Sequence, residues 1–335
     1  MTRHITATAL AAAMAFATLL ATPLQATAQQ GAAADPAPAA DAGNPFGADA
    51  QMATFAFEGE IRLVSDNRNR GTSDSNKKPT IKASLSAAHA SGMIGFLEAV
   101  GVSRKVFPDA SGVGLTAALG WRSGDPDAWH YGVGLAREQI VGGKLPTSED
   151  LDFSPLFGDP PGAPVPVRPY DAKFNSNFLV FELGYGQVDG RLLYVASRNY
   201  RGVDTGTVCA TLGGFAATLD PTTAAFGDAL NKTVDCYGRG YHNSRGTMLL
   251  DLDYKIPFNS NLTWVTLHAG YQYVPNFAAA SFADFKVGIT HKWAGVEVSA
   301  EAMKARTRDR VLFKNVDFSK SLDDAAVVLS VAKKF

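Results

Sequence analysis

The chain has 335 residues, with 31 basic and 32 acidic side chains and a net charge of −1 when histidine is neutral. Mixed signs at near-zero balance argue against a nucleic-acid partner, which would need a clustered basic face. Past the N-terminal segment no apolar run reaches the length of a spanning helix, so a membrane fate requires a β-barrel.

Arg3 and His4 precede an apolar run from Ala9 to Leu24, and Ala26, Thr27 and Ala28 then form a small-x-small site before Gln29. This pattern is that of a Sec signal peptide over residues 1–28. The competing reading, a membrane anchor, wants a longer run with less Ala and Thr. No Cys follows the site, which argues against a lipoprotein. Residues 29–52 are Ala, Pro, Gly and Asp with almost nothing large and apolar, the composition of a disordered periplasmic linker. A barrel is expected over 53–335.

From Thr54 the pattern changes. Phe55, Phe57, Ile61 and Leu63 alternate with Glu58, Glu60 and Arg62, a period of two with one apolar and one charged face. The same period recurs near 79–90, 92–103, 111–122, 128–138, 174–187, 190–200, 246–256, 261–273, 282–292, 295–305 and 326–335. The expectation is an all-β fold, an antiparallel transmembrane β-barrel of about twelve strands, each near the length that a tilted spanning strand needs. No stretch of matching length shows a helical period.

Connection lengths alternate as well. Ser91-Gly92, 123–126, Val188-Asp189-Gly190, 257–259 and Ala294-Gly295 are tight turns, whereas 67–78, 104–110, 139–173, 201–245, 274–281 and 306–325 are mostly longer. Short periplasmic turns with extended outer loops are the outer-membrane arrangement. The faces agree: Met248, Leu250, Leu252 and Tyr254 oppose Asp251, Asp253 and Lys255, and Phe285, Val287 and Ile289 oppose Asp284, Lys286 and Thr290. Trp121, Trp129 and Trp293 beside the short turns suit an aromatic girdle, with Tyr131, Tyr185 and Tyr271 extending it. Strand three is ambiguous, because Glu98 shares a face with Ile94 and Phe96.

The two cysteines, Cys209 and Cys236, lie in the exported part, where a disulfide closing that loop is expected and two free thiols are the alternative. The final strand ends on Phe335, resembling the C-terminal insertion signal that the barrel-assembly machinery reads, although Lys333 stands where the pattern favours an apolar residue.

The first hairpin reads Ser65-Asp66-Asn67-Arg68-Asn69-Arg70-Gly71-Thr72-Ser73, then Pro79 and a second strand carrying His89. Ser65, Asp66, Arg70, Gly71, Ser73 and Pro79 resemble the opening of the TorF family, small proteobacterial outer-membrane proteins named as porins. Asn67 and Asn69 depart from it, since the family favours Tyr and an aromatic at those places. The resemblance implies location and fold more firmly than activity. Independently of it, Gly71 permits a left-handed turn, and Arg68 and Arg70 beside Asp66 suit either a charge-locked loop or contact with lipopolysaccharide phosphates.

Histidines 89, 130, 242, 268 and 291 show no metal spacing, and no Ser or Asp forms a nucleophile motif with His130 or His268. The pattern therefore points away from an enzyme and calls for no cofactor or metal. The charged faces nominate Glu58, Glu60, Arg62, Lys82, Glu182, Arg198, Asp251, Asp253, Lys255, Lys286, Glu297 and Glu301 as pore-lining residues. Loops 139–173 and 201–245 are the candidates for an inward constriction, or for outward surface features. Together these observations predict an outer-membrane channel for ions or small polar solutes, in contact with lipid and lipopolysaccharide and either monomeric or a homo-oligomer. The alternative is a closed structural or adhesive barrel whose outer loops bind a partner.

Overall fold

The computed structural model describes residues 55–125, 127–145, 172–258 and 262–335. The expected signal peptide, the linker and the Pro-rich segment 146–171 lie outside the described residues. Among the described residues, twelve antiparallel strands close into one barrel. They are β1 (Phe55–Val64), β2 (Thr80–His89), β3 (Met93–Gly101), β4 (Val113–Gly124), β5 (Trp129–Leu145), β6 (Ala172–Tyr185), β7 (Val188–Val195), β8 (Met248–Phe258), β9 (Thr263–Tyr273), β10 (Phe282–Trp293), β11 (Val296–Thr307) and β12 (Ala326–Lys334). Each strand pairs with its neighbours in sequence, and β1 closes on β12.

The seam is sealed at the chain's last residue. Gly59 and Phe335 exchange both backbone hydrogen bonds, at 2.9 and 3.0 Å. The Phe335 ring lies over Gly59, where a Cβ would overlap it, so a strand residue with no side chain seats the terminal aromatic. Lys333 faces outward and donates to the Gly295 carbonyl at 3.0 Å.

Alternation puts Phe57, Ile61, Leu63, Leu119, Leu135, Phe181, Leu183, Leu250, Leu252, Phe285, Val287, Ile289, Val327, Leu329 and Val331 on the outside, all exposed. A closed barrel with an apolar outer belt satisfies every strand hydrogen bond internally, which is the condition for standing in lipid. At the short-turn end Trp129 packs on Tyr185 at 5.1 Å and Trp121 on Tyr131 at 5.9 Å. Tyr271 belongs to the opposite end, with Tyr194 and Tyr273, because β9 runs away from the short turns toward residue 273.

The turn expected at Val188-Asp189-Gly190 falls earlier, at Gly186-Gln187. Tyr185 pairs directly with Val188, and Gly186 supplies the left-handed backbone (φ 56°) that a two-residue hairpin needs. β7 accordingly ends at Val195. β5 continues to Leu145 through an irregularity between Gln139 and Lys144, seven residues beyond the expected end.

The absence of helices is the larger correction. The segment after β7 folds into α1 (Thr205–Ala216) and α2 (Ala224–Gly238), joined by the Cys209–Cys236 disulfide. Asp204 and Thr207 form a reciprocal capping box at the start of α1, and Thr223 caps α2. Neither helix carries a strong apolar stripe, so the caps and the covalent tie fix them more than periodicity does. Val208 of α1 packs with Val274, Phe277 and Ala280 of the β9–β10 connection, and Phe215 meets Phe318 of the β11–β12 connection at 5.6 Å. The helical pair thus lies over the long-loop end.

Candidate functional site: the barrel lumen

The register decides which side chains share the interior. One row of neighbours runs Glu60, Ser84, Glu98, Thr116, Glu138 and Ser176, and another runs Arg122, Gly132, Glu182, Arg191, Asp251, Gly270 and Asp284. Eleven of the twelve residues nominated as pore-lining sit at inward positions of their strands. They are Glu58, Glu60, Arg62, Lys82, Glu182, Asp251, Asp253, Lys255, Lys286, Glu297 and Glu301. Arg198 does not, because β7 stops three residues before it. It is exposed in the following loop, donating to the Tyr241 hydroxyl at 3.1 Å.

Most of these charges pair across strands. Arg62 holds Glu60 of its own strand at 2.8 Å, whereas Arg122 holds Glu182 at 2.7 Å, Lys286 approaches Glu301 at 3.6 Å and Lys334 reaches Glu58 at 3.3 Å across strands. His130 contacts Asp189 at 2.7 Å near the short-turn end. His268 has Nδ1 2.9 Å from Asp253 and Nε2 2.9 Å from Asp284, and only a doubly protonated ring donates to both. Lys255 lies 4.7 Å and Lys292 5.6 Å from the Trp264 ring centre.

Among the described residues it is the first loop, residues 65–79, that folds into the lumen; of the two loops nominated as a constriction, 201–245 lies over the long-loop end and most of 139–173 falls outside the described residues. Asp66, Asn67, Arg68, Arg70, Ser73, Asp74, Ser75 and Asn76 are all buried. The segment is a small hairpin in which Arg68 and Asn69 pair with Ser73 and Thr72. Asp66 is its hub, accepting from Arg68 Nε at 2.7 Å, Ser73 Oγ at 2.5 Å and Ser75 Oγ at 2.9 Å. Arg68 also donates to the Gly71 carbonyl at 2.7 Å, closing the tip. Arg70 (φ 49°) and Gly71 (φ 76°) make the reversal. A Cβ on Gly71 would meet the Ala305 backbone nitrogen at 2.8 Å, so the tip reaches the β11 wall.

From that tip Arg70 crosses the lumen to Asp251 at 2.6 Å, to the Leu250 carbonyl at 2.7 Å and toward Asp284 at 3.7 Å. Behind the tip, Arg201 grips Asp74 at 2.6 Å and Glu138 at 3.1 Å; burial by itself would lower its pKa, and the two carboxylates more than offset that and raise it. Ser73 N donates to the Leu322 carbonyl at 3.0 Å, and Lys77 pairs with Asp324 at 2.8 Å, which ties the β11–β12 connection over the hairpin. Asp66, Arg70, Gly71 and Ser73 therefore build an inward, charge-locked hairpin. Ser65 extends the β1–β12 pairing through Leu329.

The hairpin leaves space on both sides. Toward β8–β12 a hollow open to solvent is lined by Arg62, Arg70, Asp251, His268, Asp284, Lys286 and Glu301 among others. Toward β3–β5 a second, smaller one is lined by Asn67, Asn69, Lys82, Glu98, Thr116 and Glu138. Arg68 and Lys82 border both.

Residues 179–335 match the model of a family described as a bacterial protein of unknown function (Gcw_chp). The inward hairpin lies before that stretch. No curated protein matches the chain. Solved structures similar to it include the KdgM porin, at 9% identity and a TM-score of 0.39 over 83% of this chain and 98% of that one. OmpF of Salmonella typhi in complex with daunomycin is similar at 8% identity, with a TM-score of 0.36 over 84% and 97% of the two chains. For OccK2 of Pseudomonas aeruginosa in complex with glucuronate the identity is 11% and the TM-score 0.33, over 85% and 68%. Such low identities transfer no function.

Among the residues absent from the nominated set, Arg122 and Asp284 had a signal, since each stands on the polar face of an alternating strand. Arg191 follows Asp189 by two on the same face. Asp74 and Arg201 had none, and Arg70, noticed for its charge, gave no sign of its partner, since Arg70 and Asp251 are 181 residues apart.

Proposed function

We propose that this protein is an outer-membrane channel through which ions or small polar solutes diffuse passively, with the first-loop hairpin as its constriction. The observation that carries this reading is the unfilled, charge-lined space on either side of the hairpin. A solute entering from the long-loop end passes Arg68 and Lys82 and meets carboxylates and cations in alternation, which lowers the cost of leaving bulk water without holding the ion. The apolar belt and the resemblance of the hairpin to the TorF family support an outer-membrane location, with the long loops outside and the short turns in the periplasm. Catalysis and a cofactor form no part of this mechanism.

Single-channel recording in a planar bilayer tests it, once the refolded protein shows the heat-dependent gel mobility of a folded barrel. Discrete conductance steps are expected. A protein that is soluble without detergent and periplasmic on fractionation overturns the reading.

The clamping of the hairpin and the helical pair above it favour a second reading, a closed barrel whose outer loops bind a partner. Deleting 201–245 separates the two: a channel keeps or increases its conductance, whereas a silent barrel loses its partner.

A further inference from the structure

Arg68 and Arg70 suit lipopolysaccharide phosphates by sequence, but inside the barrel they pair with Asp66 and Asp251. A different set of cations stands where such phosphates would be met. On β11 the inward positions near the long loops are Ala305, buried against the hairpin tip, and Thr307, bonded to Asp323. Lys304 and Arg306 therefore point outward, Arg308 follows two residues on, and all three are exposed. The register sets them at the height of the outer tyrosines: Arg306 pairs with Ala283, and Ala283 with Tyr271. In an outer-membrane barrel lipid head groups lie at that height, above the apolar belt.

The charge there is not neutralised from within. Asp309 is approached by Lys232 at 3.7 Å, Asp323 is held by Arg310, and Asp324 by Arg310 and Lys77. Among the described residues no carboxylate lies within ion-pair reach of Lys304, Arg306 or Arg308. Successive outward positions of a strand are about 7 Å apart, so the three cations form a row of roughly 13 Å. Guanidinium groups meet phosphate oxygens through two parallel N–H donors, a gain that a sugar head without phosphate does not offer.

Below the row the wall changes shape. The next outward positions of β11 are Ala302, between Val287 of β10 and Val327 of β12, and Ala300, between Ile289 and Leu329. The four flanking side chains are exposed, so the alanines floor a furrow one strand wide between branched walls. An acyl chain lying along β11 gains contact on three sides, and its head group arrives at Lys304.

We propose that the outer end of β11 seats a lipopolysaccharide molecule, with its phosphates on Lys304, Arg306 and Arg308 and an acyl chain in the furrow of Ala300 and Ala302. The seat rests on the outer-membrane reading, with the long loops outside, and not on conduction.

Native mass spectrometry of the refolded full chain, released from detergent, tests it with three probes. They are bisphosphorylated lipid A (the lipid portion of lipopolysaccharide), the same lipid stripped of phosphate, and phosphatidylglycerol, an anionic lipid with a single phosphodiester. Bisphosphorylated lipid A is expected to be retained about tenfold more than either other probe, the ratio that one charge-assisted hydrogen bond gives. The triple variant Lys304→Gln, Arg306→Gln, Arg308→Gln should lose that preference and keep its heat-dependent mobility and conductance. Removing three exposed loop cations instead, by Lys78→Gln, Arg245→Gln and Lys320→Gln, should leave the preference intact. Equal retention of the two forms of lipid A overturns the seat, as does a preference that survives the strand variant or falls equally in the loop variant. A preference shown by a barrel that passes no current supports the seat and overturns the channel. Conductance steps without a preference support the channel and overturn the seat.

Discussion

The lumen wall formed by β8–β11 and the wall formed by β3–β7 come from strands of the same kind, yet they hold the loops above them by opposite means. On the first, Asp251, Asp284, His268 and Lys286 offer charges, and the first-loop hairpin is held there by one long side chain, Arg70. On the second, Phe178, Leu193 and Val195, with Leu249 at the adjoining edge of β8, form a core that takes in Tyr200, while Phe107 and Ala110 pack on Ile140 and Phe174. Ion pairs are directional and costly to leave half-made, so the charged wall fixes where the hairpin tip stands. Apolar burial scales with area and tolerates sliding, so the other wall supplies adhesion without register. Arg201 joins the two systems: it belongs to the loop seated on the apolar wall, lies 5.2 Å from the centre of the Phe107 ring, and holds the hairpin by Asp74.

Removing Arg70 should have the largest effect. Arg70→Ala takes from Asp251 its closest cation, leaving Arg191 at 3.6 Å and His268 on Asp284, and should cost about 3 kcal/mol. The urea midpoint of the heat-sensitive gel band should fall and the single-channel conductance should rise. Adding Asp251→Ala should restore part of the stability, whereas strictly additive losses would show that this pair does not hold the tip. On the other wall, Leu193→Ala opens a cavity at a fully buried position and should cost about 3 kcal/mol. Here conductance should stay near the parent value while hydrogen exchange at Tyr200 quickens, and a conductance change equal to that of Arg70→Ala would erase the distinction between the walls.

A smaller effect concerns the cap of α1. Burial pushes the Asp204 carboxyl up to about 6 from an ordinary 3.8, against hydrogen bonds from Thr207 that pull it down. The folded state keeps its proton where the unfolded chain has lost it, so this contribution is complete below 3.8 and disappears as pH rises through about 6. Exchange protection of the α1 amides should be greater at about pH 5 than at about pH 7, by on the order of 1 kcal/mol. Asp204→Asn should flatten that dependence while keeping the cap, and protection that increases toward neutral pH would reverse the sign. Smallest is a control away from both walls. Ala294 takes a left-handed backbone (φ 50°) before Gly295 in the β10–β11 turn. Ala294→Asn should stabilise the barrel by about 0.5 kcal/mol with conductance unchanged, read from the same urea midpoint.

Legibility followed the range of the interactions. Alternation in residues such as Met248 to Lys255 revealed both the strand and its lipid-facing side, because a period of two is local. The β3 pattern, with Glu98 beside Ile94 and Phe96, resisted assignment because its inward face is partly apolar, and a strand apolar on both faces loses its alternation. The helices after β7 stayed hidden because the Asp204 and Thr223 caps and the disulfide stabilise them more than any apolar stripe does. The hairpin residues were noticed for their charge and their glycine. Their inward course depends on Asp251, Leu322 and Asp324, far along the chain.

By itself the sequence determined the strand succession, the outward apolar face, the short turns and the pairing of the cysteines' loop, since each follows from residues within a few positions of one another or from the chemistry of a single residue type. Only the tertiary structure decided that the first loop turns inward, that Arg198 stands outside the lumen, and that the β3–β7 side of the interior carries two apolar rows between charged ones. Closing twelve strands at a fixed register is what brings Arg70 to Asp251 and aligns Ile94, Gly120, Gly134, Val180 and Leu193 in one row.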